Sequence, residues 1–282
     1  MLVNHRFIQF FARIIISCIK GICYTSGNLK EGDCVYEVYK RNYICSVLQE
    51  NTLNTEQARE SFDYMIENTG ADFVILAPGG LQDTAHSEEI CYSSNATFSD
   101  EELAEYDLLC KEKRDVRVGL KPTVNCKNGE WRAYISFFEH DVPCESKWGN
   151  WFSSYTKFQT HYAEIAQKEE CDMLIAGCEM VMSEHREKEW REVIAAIREC
   201  YDGTVSYNTD KYQEDRVKWW DCVDVISSSG YYPIQDWEQE LDRIEAVVKL
   251  IINRFSLQKQ DVCPEQDQNT FRITGGLKES YG

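Results

Sequence analysis

The chain has 282 residues, 43% of them hydrophobic, enough to bury one sizeable core or two small ones. It carries 48 acidic against 30 basic side chains, a formal charge of -18, and such a surface repels phosphate backbones and counts against nucleic acid as a partner. Its 13 cysteines show no CxxC pair and no Cys/His cluster of zinc spacing, which argues against a metal site or disulfide framework and for reduced thiols packed in a core. A facing pair of loop cysteines, Cys126 and Cys144, is the one alternative.

In chain order, FIQFFARIIISCIKGICY is the only strongly apolar run. Arg13 and Lys20 interrupt it and no small-residue cleavage site follows, so it makes a poor signal peptide and a poor spanning helix. A cytoplasmic chain without a membrane partner is expected, with secretion as the alternative. Gln57–Thr69 has helical spacing, and GADFVILAPGG follows as a strand ending in glycines. VRVGLKPTVN, at 116–125, is a second apolar run, and NGEWRAYISFFEHDVPCESKW is a long loop rich in aromatics. Trp151–Lys168 predicts an amphipathic helix, with Phe152, Tyr155, Phe158, Tyr162, Ile165 and Ala166 on one face. Asp172–Gly177 is a short apolar strand, and the carboxylate of Glu179 stands just past it. A charge there is costly unless something pairs with it or uses it. Ser183 is the expected N-cap of the next helix, whose Trp190, Val193, Ile194 and Ile197 form one face and which Gly203 stops. TVSYNTD and VDVISSSGYYP are further strands with a short helical connection between them.

Strands alternate with helices and their apolar runs are continuous, the pattern of a parallel sheet covered on both faces. Polar residues gather after nearly every strand, as they do at the C-terminal face of a (β/α)8 TIM barrel, whereas an open doubly wound sheet gathers its ligand at one switch point. The expected fold is therefore α/β, a (β/α)8 barrel. The strand ends offer one well-placed carboxylate, a lysine, asparagines, serines and many aromatics, including Trp131, Trp148, Trp151, Trp219, Trp220 and Trp237. That mixture suits a sugar, which shows CH faces to rings and hydroxyls to polar groups, although half or more of the tryptophans are expected to be structural. Glycoside cleavage needs two carboxyls, and an acid in a partly apolar site suits the protonating role. A lone Glu after a strand is otherwise a helix-end or salt-bridge residue.

GADFVILAPGGLQDTAHSEEI, VGLKPTVNCKNGEWRA, WFSSYTKFQTHYAEIA, CDMLIAGCEM, VSYNTDKYQ and WWDCVDVISSSGYYPIQDW together resemble the β-mannanases of glycoside hydrolase family 113, retaining (β/α)8 enzymes. The likeness covers most of residues 55–249. It implies that Glu179 in GCEM is the general acid/base at the end of strand 4, and that Tyr231 lies near the nucleophile after strand 6. It also implies that Lys121, Asn125, Trp131 and Asn208 face the sugar. The implied substrate is a β-1,4-mannan oligosaccharide or polysaccharide, cleaved by a monomer with neither metal nor organic cofactor.

The family's nucleophile is a glutamate ending strand 7, in text like PFFFAEAGC, expected after Val248. Here KLIINRFSLQKQDVCPEQDQNTFRITGGLKESYG stands instead, with Glu265 in a polar loop as the only carboxylate beside a cysteine. Permitted codons for Ile251–Ser280, read from their third base, yield NKPFFFAEAGCLSRTGSEYIPNNWGLKGE, with the glutamate codon straddling Gln258 and Lys259. Read from the second base, Lys40–Asn51 yields KGITFAPFCRK, a first strand, and Tyr106–Val116 yields MICYAKKRGM, a helix end where YDLLCKEKRDV has poor periodicity. The chain thus reads as the product of a frameshifted gene: residues 1–50 outside the native barrel, 51–249 a partial barrel lacking strands 1, 7 and 8, and 250–282 a shifted tail. As written it is expected to be inactive. The alternatives are a β-1,4-xylanase-type hydrolase of the same clan, a non-catalytic carbohydrate-binding barrel, and a barrel isomerase or aldolase acting on phosphorylated sugars, which would want a glycine-rich phosphate cradle after strands 7 and 8.

Overall fold

A computed structural model describes residues 22–25, 41–45, 55–92, 97–112, 116–137, 144–229 and 270–273. Its centre is a six-stranded sheet in which every pairing is parallel. The strands, in spatial and chain order, are β2 (Arg41–Cys45), β3 (Phe73–Ala77), β5 (Arg117–Leu120), β7 (Met173–Cys178), β8 (Thr204–Asp210) and β9 (Val225–Ser229). Helices α1 (Glu56–Thr69), α2 (Asp100–Glu112), α3 (Glu145–Lys168) and α4 (Glu187–Cys200) alternate with them. β1 (Ile22–Thr25) pairs antiparallel with β10 (Thr270–Ile273).

Both faces of the sheet are apolar, which is why its strands read as continuous hydrophobic runs. One face carries Val74, Leu76, Val118, Leu120, Leu174, Ala176 and Val205 and packs beneath the helices. The other carries Phe73, Ile75, Met173, Ile175 and Val225, two residues apart along each strand. Gly119 makes room on this inner face: a Cβ there would stand 2.9 Å from the Phe73 ring. The ladder breaks at Pro78 and Pro122, which lack the N–H that would continue it. It resumes as β4 (Gly79–Gln82) against β6 (Thr123–Cys126), carrying β3 and β5 past the end of the main sheet.

Three sequence expectations change. Arg41–Cys45 lies within the segment assigned no place in the barrel, yet it pairs in parallel with β3, from Arg41 opposite Phe73 to Cys45 opposite Ala77. The backbone groups on that edge of β3 need partners, and any extended segment supplies them. Ser183 is not the N-cap of α4, because its hydroxyl donates to the Met180 carbonyl at 2.8 Å and the helix starts four residues later at Glu187. Tyr201, not Gly203, caps the end of α4. Gly203 is required by close approach instead, since a Cβ there would stand 2.2 Å from the Tyr201 hydroxyl.

The weak periodicity of YDLLCKEKRDV has a structural counterpart in α2. Asp107 is buried at 2% exposure while its neighbour Leu108 is 56% exposed. Burial pushes the Asp107 carboxyl above its ordinary range, and the ion pair with Lys111 at 2.8 Å offsets this in part. Replacing Asp107 with Leu, which leaves the partly exposed Lys111 its contact with the Glu169 carbonyl, should stabilise the chain by about 1–3 kcal/mol in urea unfolding. No helix among the described residues is long and apolar enough to cross a membrane.

Candidate functional site

The polar groups at the C-terminal strand ends converge on β7. Between Ile175 and Cys178 the β7–β8 register shifts, and Gly177 adopts φ 155 there. The close approach is specific: a Cβ on Gly177 would stand 2.6 Å from the Tyr155 hydroxyl and 2.9 Å from the Tyr207 ring. Gly177→Ala should therefore cost about 2 kcal/mol or more in thermal or urea unfolding. Bulges of this kind re-aim the side chains that follow them. Here the residue re-aimed is Glu179, whose own φ is 54, a left-handed conformation unusual for a side-chain-bearing residue. Two backbone amides hold that conformation. Glu179 N–H donates to the Asn208 carbonyl at 2.8 Å, and Met180 N–H donates to the Tyr207 hydroxyl at 3.3 Å.

The Glu179 side chain is 14% exposed. Its Oε2 accepts the Trp131 indole N–H at 3.0 Å and an Arg132 guanidinium N–H at 3.3 Å. Arg132 is itself clamped, donating through Nε to the Val124 carbonyl at 2.8 Å and through a terminal nitrogen to the Asn125 side chain at 2.6 Å. Lys121 Nζ donates to Asn208 Oδ1 at 3.2 Å, while Asn208 Nδ2 donates to Ser229 Oγ and the Thr209 carbonyl, each at 2.9 Å. Glu179, Trp131, Asn125, Asn208 and Lys121 therefore form one connected network. Tyr231 lies outside the described residues, as do Glu265 and Trp237.

Three residues in or beside this network were not given a role from the sequence. Arg132 closes the link between Glu179 and Asn125. Asp210, at the end of β8, has its carboxyl raised first by burial and then by the nearby charge of Glu179. Glu184, in the turn after Glu179, is 3% exposed and lacks any cationic partner among the described residues. Burial pushes its carboxyl up to about 7, against hydrogen bonds from Thr209 and Tyr207 that work the other way.

Because folding raises this carboxyl's pKa, Glu184 adds most to stability below about 4.5, and the contribution is lost as pH rises through about 7. Between pH 5 and pH 8 the stability of the chain, relative to its Glu184→Gln variant, should fall by about 2–3 kcal/mol in urea unfolding.

Of the described tryptophans only Trp131 shows a large exposed face, at 41%, and it meets the exposed Tyr134 edge-on with centroids 5.8 Å apart. Trp148, Trp151, Trp190, Trp219 and Trp220 are buried, with Trp190 stacked on Trp219 at 4.8 Å. Cys126 and Cys144 are buried free thiols rather than a pair.

The profile of Glycoside Hydrolase Family 113 matches residues 45–266. The chain belongs to glycoside hydrolase family 113. The match extends past Val248 into the tail set apart in the sequence. Among solved structures, the chain is 53% identical to a family 113 β-1,4-mannanase, with a TM-score of 0.70, covering 74% of this chain and 67% of that one. It is 38% identical to the family 113 β-mannanase AaManA from Alicyclobacillus acidocaldarius in complex with ManMIm, with a TM-score of 0.68, covering 74% and 66%. The chain thus spans about two thirds of the length of these enzymes. No curated protein matches it. The family relation makes the parallel sheet part of a (β/α)8 glycosidase barrel, with β7 as its fourth strand and Glu179 at that strand's end.

Proposed function

We propose that this site belongs to a retaining glycoside hydrolase that cleaves β-1,4-linked mannan or manno-oligosaccharides, with Glu179 as general acid/base. The observation that carries the reading is the arrangement of contacts at the Glu179 carboxyl. Both of its contacts converge on Oε2, which leaves Oε1 to carry the proton to the glycosidic oxygen as the C–O bond breaks. In the complete retaining mechanism the anomeric carbon is attacked from the opposite face by a strand-7 glutamate, and Glu179, then ionised, draws a proton from the water that releases the sugar. The exposed faces of Trp131 and Tyr134 beside this carboxyl offer the apolar platform that a pyranose ring stacks on.

The glutamate that attacks has no readable counterpart in residues 250–282, so the chain as written is a binder of manno-oligosaccharides that does not turn them over. Titration of the full chain with mannohexaose and xylohexaose, read by tryptophan fluorescence, tests this. Saturable quenching by the mannan oligomer, lost in Trp131→Ala, is expected. Preference for the xylan oligomer would move the assignment to the xylanase branch, and no response to either would remove it.

A further inference from the structure

We propose that Glu184 is a positioning residue for Glu179, acting through the Tyr207 hydroxyl and the Met180 amide; the proposal rests on Glu179 being the proton donor. Glu179 sits in a left-handed conformation that costs about 1 kcal/mol or more for a residue other than glycine, so its neighbours must hold it there. One of the two holding contacts is Met180 N–H to the Tyr207 hydroxyl. A hydroxyl can accept from that amide in the required direction only if its own proton points elsewhere. Glu184 Oε1 takes that proton at 2.7 Å. The Tyr207 ring cannot move to compensate, being wedged against Gly177 and packed edge-on against Trp190 and Trp219 with centroids 5.0 and 4.7 Å away.

Glu184 is itself fixed from three sides. Thr209 Oγ1 donates to the same Oε1 at 2.7 Å, the Trp219 indole donates to the Glu184 carbonyl at 3.1 Å, and the Trp190 indole donates to the preceding carbonyl of Ser183 at 3.0 Å. Its second oxygen, Oε2, is buried without a hydrogen-bond partner. The charged or titratable groups that face it are Tyr207 and Asp210 from β8 and Glu214 from the loop beyond, all of them acidic. A buried carboxyl in such company is costly, and an apolar side chain of similar size would pack there without the cost. What an apolar side chain cannot do is accept two hydroxyl protons on one oxygen and so aim Tyr207 at Met180. Because the acid accepts through Oε1 and is favoured in its neutral form by burial, glutamine at this position reproduces the contact without ionising.

Amide hydrogen exchange of the full chain tests the chain of contacts, alongside mannohexaose affinity. Glu184→Ala and Tyr207→Phe should each speed exchange at Met180 about tenfold or more, while amides in the middle of α3 keep their protection. Thr209→Val, which removes the other donor to Oε1, should leave Met180 unchanged. Glu184→Gln should behave as wild type at pH 6 in both measurements, and the Ala variant should bind mannohexaose about tenfold more weakly. If Tyr207→Phe exposes the Met180 amide and Glu184→Ala does not, the tyrosine holds the amide unaided and the proposal is overturned. If Glu184→Ala does not fold, the Gln variant decides: faster Met180 exchange in Glu184→Gln at pH 6 overturns the proposal, and wild-type exchange supports it. Absence of mannohexaose binding by the wild type counts against the mannan reading alone, because the exchange result does not depend on ligand.

Discussion

A chain in which Ile251–Ser280 is replaced by NKPFFFAEAGCLSRTGSEYIPNNWGLKGE and Lys40–Asn51 by KGITFAPFCRK is expected to hydrolyse β-mannan, and the chain as written is expected not to. The expected gain is on the order of 10⁴-fold or more over the present chain, the scale on which enzymes lose rate when a nucleophile is removed. The reason is both architectural and chemical, because the replacements restore barrel strands together with the missing group. The described residues already assemble an acid, its indole and guanidinium partners, and an exposed aromatic face. A retaining mechanism also needs an attacking carboxylate, and the shifted reading supplies it at the end of an apolar strand. The measurement is reducing-sugar release from mannan, with a version carrying Gln in place of the restored glutamate as the control. Equal release from the two would show that the restored glutamate is not the attacker. The gene itself gives a second check, since the shifted frames must contain those peptides.

In that restored chain, Glu179→Gln should lower turnover of manno-oligosaccharides by about 10²–10⁴-fold, the range general acid/base catalysis contributes. The glutamine keeps an oxygen for Trp131 but cannot give up a proton, so binding should change much less than turnover. Initial rates and KM measured together separate the two effects. A variant that loses affinity and keeps turnover would make Glu179 a sugar-binding residue instead.

The elements that could be read in advance are those whose signal is local. β3 and β7 announce themselves as unbroken apolar runs because both faces of each are buried. α3 was legible from its aromatic stripe, although it starts six residues earlier than the periodicity indicates, at Glu145. The start of α4 was not legible. Ser183 looks like a cap in the sequence, but its hydroxyl is engaged inside a turn by the carbonyl of Met180. Glu179 could be found because a carboxylate past a buried strand is anomalous and GCEM carries a family resemblance. Arg132 could not, because its partner lies 47 residues away and nothing in WRA marks it. Glu184 was hidden for a related reason. In SEHREKEW it reads as one member of a solvated charged run, and only the fold turns it inward beneath β8.

Leaving-group dependence separates proton delivery by Glu179 from any other role of that side chain. In the restored chain, Glu179→Ala should lose attack on manno-oligosaccharides while retaining attack on a dinitrophenyl β-mannoside, whose leaving group departs without a proton. Added azide, which needs no base to attack the glycosyl-enzyme, should then raise turnover of that substrate and give a β-mannosyl azide. An equal loss on both substrates, with no response to azide, would contradict the role assigned to Glu179.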